Sequence, residues 1–353
     1  MSNPKILVLY SEIMPYNVAC FKDYVKTTGG EVKVICWDKR KKLTPYMPID
    51  SDKISYESHL IYNLDRLKIL IDNFRPKALL VSGRMESNYL AASLYARKQR
   101  IPVIGLSDNQ YSGNLKQKIS KLFSAILWRR YFDYVMVPGL YQYEYMRYLG
   151  FKKEQILFSL YCADTELFND FYVSKKEKLS TIKKYILFVG RLNEIKGLDV
   201  LIEAFTELKS EKKLDLDLMI IGNGPLANII PERNDIVKYP FMSQNELIKH
   251  LSEVKFFCLP SRKEAWGLVI HEFVSAGIPI ITTAACGASS IFLKNGYNGY
   301  VINACDKELL KNAILKLNLL SNDELEQFSE RSYNLSKQIV PGLWTASVNS
   351  ILT

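Results

Sequence analysis

Tyr185-Ile-Leu-Phe-Val-Gly-Arg-Leu-Asn-Glu-Ile-Lys-Gly-Leu198 is the stretch that decides the fold. Residues 185–189 are apolar without interruption and show no period-two alternation. That pattern fits a strand covered on both faces, as in a parallel sheet. Gly190 ends the run, Arg191 and Lys196 stand in the turn, and Gly197 opens a helical pattern over 198–209. Strand, charged turn, helix is the repeating unit of an α/β fold.

Working outward, the same unit recurs along the chain. In the first half strands are expected at 5–10, 31–37, 78–83, 102–107, 134–139 and 156–161. In the second they are expected at 185–191, 217–224, 236–241, 256–261, 279–284 and 299–303. The pattern starts afresh near Tyr185, and 353 residues suit two domains of ordinary size. The reading is α/β, with two doubly wound domains: residues 1–168, a linker at 169–184 with a polar run at 174–180, and residues 185–334. The helical tail 335–353 is expected to pack back on the first domain. Open α/β sheets bind ligands at the carboxyl ends of their strands, so two of them imply a site in a cleft between domains.

Composition excludes several classes. With 48% hydrophobic and 24% charged residues the chain is an ordinary globular one. The run 6–10 is too short for an export signal, and no run is long enough to span a bilayer. Six scattered cysteines read as buried thiols of a cytoplasmic protein rather than metal ligands. Charge is uneven: residues 1–170 hold 25 Lys/Arg against 17 Asp/Glu, and residues 171–353 hold 22 against 20. The basic half is either a solubilising surface or one that meets an anionic membrane or acceptor. No nucleic-acid motif is present.

Three clusters follow expected strand ends. Arg191 and Lys196 beside a helix start make a diphosphate site, or else a solvated loop with incidental charges. Gly222-Asn223-Gly224 allows close backbone approach but lacks the third glycine of a dinucleotide fingerprint. Pro260-Ser-Arg-Lys-Glu-Ala-Trp-Gly267 leads into a helix near Gly267, with Glu264 in the loop and Glu272 two turns inside. The amides of Gly267 and Leu268 are orphan donors at that helix start. Asp50-Ser-Asp52 and Asp215-Leu-Asp217 read as surface charge, the second pair because it precedes a strand. His271 reads as a packing residue.

Taken together, Gly190-Arg191 with Lys196-Gly197, Gly222-Asn-Gly224, Glu264-x7-Glu272, Ser275-Ala-Gly-Ile-Pro-Ile-Ile281 and Asn295-Gly-Tyr-Asn-Gly299 resemble glycosyltransferase family 4. That family comprises retaining enzymes with the GT-B fold of two Rossmann-like domains. The resemblance covers about residues 185–305, and the first half is similar only in outline. It implies that Gly190, Arg191 and Lys196 grip the donor diphosphate and that Glu272 bonds the ribose. Glu264, Trp266 and Gly267 would hold the donor sugar, with the Leu268 amide and Asn223 completing the nucleotide-sugar site. Glu264, Arg191 and Lys196 are the catalytic candidates, with no metal and no cofactor beyond a UDP- or GDP-sugar donor.

The first domain departs from the family. The place of its glycine-rich loop reads Ser11-Glu-Ile-Met-Pro-Tyr-Asn17, and the place of its histidine reads Ser107-Asp108-Asn109. Tyr16, Asn17, Asp108 and Asn109 are therefore the acceptor-side candidates. The expected function is sugar transfer to a glycan or lipid-linked acceptor in the synthesis of cell-surface polysaccharide, lipopolysaccharide or glycolipid. The alternatives are a sugar-nucleotide epimerase and a non-catalytic nucleotide- or glycan-binding subunit. Residues 113–131 are basic and amphipathic. They suit either a membrane surface or, as the reading preferred here, packing against their own sheet.

Overall fold

The computed structural model describes residues 3–37, 46, 48–84, 86–176 and 183–352. The chain divides into two compact units, Met1–Asp164 with Ile339–Thr353, and Thr165–Gln338.

The first unit holds β1 (Lys5–Leu9), β2 (Glu31–Cys36), β3 (Ile54–Ser58), β4 (Ala78–Val81), β5 (Val103–Leu106), β6 (Tyr134–Met136) and β7 (Ile156–Leu157). They form one sheet in the order β3-β2-β1-β4-β5-β6-β7, with every pairing parallel. The second unit holds β8 (Tyr185–Val189), β9 (Asp217–Ile221), β10 (Ile236–Tyr239), β11 (Val254–Leu259), β12 (Ile280–Thr283) and β13 (Gly299–Ile302). Their order is β10-β9-β8-β11-β12-β13, again parallel throughout. Ile186, Leu187 and Phe188 on β8, and Phe256, Phe257, Cys258 and Leu259 on β11, are wholly buried. Burial on both faces is what the uninterrupted apolar runs require.

In both sheets the winding reverses beside the first strand. In the second unit that point lies between β8 and β11, so the loops leaving their carboxyl ends emerge side by side.

Several local expectations change. β3 is a strand that the apolar runs do not reveal. It lies at the sheet edge, and only its Ile54 is buried. Residues Thr165–Lys176 are helical and belong to the second unit, where a linker from residue 169 is expected. Phe168 and Tyr172, one helical turn apart, are buried, and Tyr172 stacks on Tyr333 at 4.1 Å. The rest of the polar run, 177–180, lies outside the described residues, as do 181 and 182. The helix Pro341–Asn349 packs on the helix Pro15–Thr28 of the first unit, with Trp344 against Phe21 and Tyr24. Thr345 there donates to Asp23 at 2.5 Å.

Of residues 113–131, Trp128 packs into the core as expected, with Leu127 and Tyr131 against it, but the part before them does not. The stretch forms the short helices Leu115–Leu122 and Ser124–Leu127, and Leu115, Ile119, Leu122, Phe123 and Ile126 are exposed. The core beside β6 is already filled by Trp128, Phe132, Tyr145, Met146, Leu149 and Phe151. That leaves the eight-residue helix nothing apolar to cover.

Candidate active site

The loop after β8 is held in place by glycine. Gly197 has φ +70°, and a Cβ there would stand 2.1 Å from the Pro260 carbonyl oxygen. Only glycine permits the loop after β8 to lie so close to the loop after β11. The Arg262 amide donates to the Ile195 carbonyl at 2.7 Å. The Arg262 guanidinium binds Asp199 through two bonds of 2.6 Å and the Glu194 carbonyl through a third. The Arg262 fork holds the Asp199 carboxyl below its ordinary value.

This frame brings Lys196 to Glu264, and the two side chains form an ion pair with 14% and 16% exposure. Glu264 is fixed through its backbone: its amide donates to Ala285, and its carbonyl accepts from Gly287. Gly267 stands at φ +88°, where a Cβ would lie 3.1 Å from Glu264 Cγ. The glutamate stem therefore lies against the start of the helix Leu268–Ser275. That helix has neither a side-chain cap nor an acidic residue in its first turn. The Ile270 amide donates back to the Gly267 carbonyl at 2.9 Å, while the N–H groups of Leu268 and Val269 precede any i−4 carbonyl of the helix and carry the positive end of its dipole. A lysine, a carboxylate and free helix amides thus converge at the carboxyl ends of β8 and β11. Chemically, this can bind a diphosphate and a hydroxylated ring.

Arg191 is exposed on the same loop and makes no ion pair among the described residues. Trp266 is buried, with its carbonyl accepting from Ala288 at 2.8 Å and from the Cys286 thiol at 2.9 Å. Burial pushes that thiol up to about 12. Glu272 is half-buried and accepts from Gln244 Nε2 at 2.6 Å. Gln244 opens the helix Gln244–His250 and carries no motif, so the sequence reading missed it.

The glycines of Gly222-Asn223-Gly224 are used differently from the expectation. A Cβ on Gly222 would meet the Gly190 carbonyl oxygen at 2.0 Å, and one on Gly224 the Leu192 carbonyl oxygen at 2.3 Å. The Asn223 carbonyl accepts from Leu192 at 2.9 Å. These glycines seat the loop after β9 against the loop after β8, so the close backbone approach is to protein.

His271 is wholly buried, stacks on Phe292 at 4.3 Å and places Nε2 3.3 Å from the Ser336 carbonyl oxygen. Asp217 begins β9 at its amino end and pairs with Lys209 at 3.4 Å. Asp50 accepts from the Tyr56 amide. Among the described residues no group of three His, Cys, Asp or Glu side chains is arranged to hold a metal. No helix there is long and apolar enough to cross a membrane.

In the first unit three of the four candidates, Tyr16, Asn17 and Asp108, gather around Tyr10, and Asn109 does not. Asn17 caps its own helix, accepting from the Met14 amide at 3.0 Å. Asn109 is exposed on the loop after β5. Tyr16 and Asp108 come together through Tyr161, whose ring meets Tyr16 at 5.3 Å and whose hydroxyl donates to Asp108 at 3.2 Å. Tyr10, directly after β1, joins them. Burial raises the phenols of Tyr10, Tyr16 and Tyr161, the last two well above the ordinary range. Neutral phenols around a carboxylate are hydroxyl-binding chemistry.

Comparison with known proteins follows the same division. Residues 172–335 match the family model described as glycosyl transferases group 1. The chain is 31% identical over 169 residues to the capsular polysaccharide biosynthesis glycosyltransferase CapM of Staphylococcus aureus, covering 45% of this chain and 42% of that protein. The chain spans less than half the length of the curated relatives it matches. A glycosyltransferase from Rickettsia africae superposes with TM-score 0.75 at 16% identity, covering 100% of this chain and 98% of that one. Anabaena Alr3699/HepE, solved with UDP and glucose, gives 0.71 at 14% identity, with 98% of each chain covered. At such identities the likeness is one of fold, two Rossmann-like domains of the GT-B type. The similarity to the glycosyl transferases of group 1 lies in the second unit, over residues 172–335.

Proposed function

We propose that this chain transfers a sugar, with retention, from a UDP- or GDP-sugar to a glycan or lipid-linked acceptor in the synthesis of cell-surface polysaccharide, lipopolysaccharide or glycolipid. The observation that carries the reading is the Lys196–Glu264 pair beside the uncapped start of the helix Leu268–Ser275. Arg191, Lys196 and the amides of Gly267 and Leu268 take the diphosphate. Glu272, oriented by Gln244, takes the ribose, and Glu264 takes the sugar hydroxyls. As the glycosidic bond breaks, negative charge grows on the departing diphosphate. Fixed donors there lower the barrier, by about 3–4 kcal/mol for a well-placed one. Tyr10, Tyr16, Tyr161 and Asp108 serve the acceptor, which is anionic or presented at a membrane.

The test is a panel of UDP-, GDP-, ADP- and dTDP-sugars, screened by thermal shift and then by turnover with lipid-linked acceptors. One donor should stabilise the protein and be consumed only with acceptor, and NMR should show its anomeric configuration kept in the product. Epimerised donor in the absence of acceptor, or no turnover with any pair, overturns the reading.

A further inference from the structure

Residues 113–131 leave a row of apolar side chains uncovered. The helix Leu115–Leu122 has no buried residue. Leu115, Ile119 and Leu122 recur at i, i+4 and i+7 and so share one face. They are 75%, 53% and 79% exposed, and Phe123 and Ile126 extend the row at 52% and 57%. Single exposed leucines are ordinary, but a contiguous row marks a surface that something covers.

The neighbouring charges indicate what covers it. Between Asp108 and Asp133 the chain has no acidic residue, while Lys116, Lys118, Lys121, Arg129 and Arg130 all fall there. Lys116 and Lys118 lie on the helix Leu115–Leu122 itself and are exposed. Lys121 stands 4.3 Å over the Tyr148 ring, which meets the half-exposed Tyr111 at 4.8 Å. Past Ile126 the chain tucks Trp128 into the core and delivers Arg130 to a cavity of about 700 Å³. Arg97, Lys98 and Arg100 line that cavity too, and its one acid, Asp133, is held by Arg97 at 2.8 Å. A second copy of this chain is a poor occupant, because it would bring the same cations against these. Long cationic side chains beside an apolar row match a bilayer, where stems lie along the acyl boundary and heads reach phosphates.

We infer that residues 113–131 are a docking surface for the anionic face of a lipid bilayer. The row Leu115, Ile119, Leu122, Phe123 and Ile126 enters the headgroup boundary, and the flanking lysines and arginines bind lipid phosphates. This deepens the reading of a membrane-presented acceptor, but it is tested without donor or acceptor, so either idea can fail alone.

The experiment is co-sedimentation of the full chain with vesicles of mixed phosphatidylglycerol and phosphatidylcholine, and with phosphatidylcholine alone, at low and physiological salt. Binding should require the anionic lipid and weaken with salt. Lys116→Gln with Lys118→Gln should lower binding roughly thirtyfold at low salt. Ile119→Ser with Leu122→Ser should lower it in both salts. Because no residue of this helix is buried, both variants should melt like the parent. Leu122→Trp adds a direct reading: its emission should shift to the blue on anionic vesicles. Parental binding by both double variants, or a Leu122→Trp emission unchanged on bound vesicles, overturns the proposal. So does a dimer in lipid-free light scattering that Ile119→Ser with Leu122→Ser dissolves.

Discussion

Lys196 and Glu264 stand 68 residues apart in sequence and meet as an ion pair between the loops that follow β8 and β11. Each is the other's charge partner, with side chains only 14% and 16% exposed. Lys196→Ala therefore removes a proposed diphosphate ligand and also strands a carboxylate. Turnover should fall roughly a hundredfold, with a similar fall for Arg191→Ala. Adding Glu264→Gln to Lys196→Ala should recover melting temperature but not turnover. If both single variants keep parental kinetics, the diphosphate clamp is wrongly assigned.

Glu272 and Glu264 should separate in binding assays. Glu272→Gln should weaken the free nucleoside diphosphate, because the carboxylate proposed to bind the ribose loses its charge. Gln244→Ala should do so more mildly, through the 2.6 Å bond it makes to Glu272. Glu264→Gln should impair transfer while leaving nucleotide affinity largely intact. Calorimetry giving equal nucleotide losses for Glu264→Gln and Glu272→Gln would refute this division of labour.

What the sequence could reveal here follows from what apolar runs report. β1, β8 and β11 are buried on both faces, so an uninterrupted run betrays them. β3 lies at an edge with one buried residue, and nothing in its composition stands out. The proposed site positions could be chosen in the sequence because α/β sheets put function at strand ends. The pairing of Lys196 with Glu264, the Gln244 bond and the Arg262 fork were not, because spacing in sequence does not report distance in space. Amphipathicity identified the residues of the 113–131 stretch but not which side they face. That depends on how much of the sheet Trp128 and Phe132 already cover.

Gly197→Ala should be costly. The new Cβ would meet the Pro260 carbonyl oxygen, which is backbone and cannot swing aside, and alanine is strained at φ +70°. A loss of about 1–3 kcal/mol is expected from the strained backbone, read as a lower melting temperature, together with lower donor affinity because Lys196 moves with the loop. Gly296→Ala is the control, since it shares a positive φ but has nothing within 4 Å. Equal melting temperatures for the two variants would show that the approach to Pro260 is not a constraint.

Chelation should leave transfer intact. The proposed site carries Arg191 and Lys196 where the departing diphosphate needs positive charge, so cationic side chains take the part a divalent ion plays elsewhere. Transfer abolished by EDTA and restored only by Mg²⁺ or Mn²⁺ would mean that the clamp is wrong or incomplete.

The Asp199–Arg262 fork should be visible in the acid limb of stability. Arg262 lowers the folded-state value of Asp199 below its ordinary 3.8. A depressed carboxyl contributes stability that is present above its unfolded value and is lost as pH falls through its folded value. Both side chains are about a third exposed, so the effect should be modest. Asp199→Asn should melt earlier than the parent near neutral pH; the gap should begin to narrow near the unfolded value of about 4 and close only as pH falls through the lowered folded value. Other paired carboxylates titrate alike in both proteins, so the difference between the two curves isolates this one. Because Arg262 also holds the Glu194 carbonyl, loosening the fork should let Lys196 wander, and donor KM should rise at neutral pH. A gap that stays constant to the lowest pH would mean that Asp199→Asn acts through packing and that the fork's charge contributes nothing.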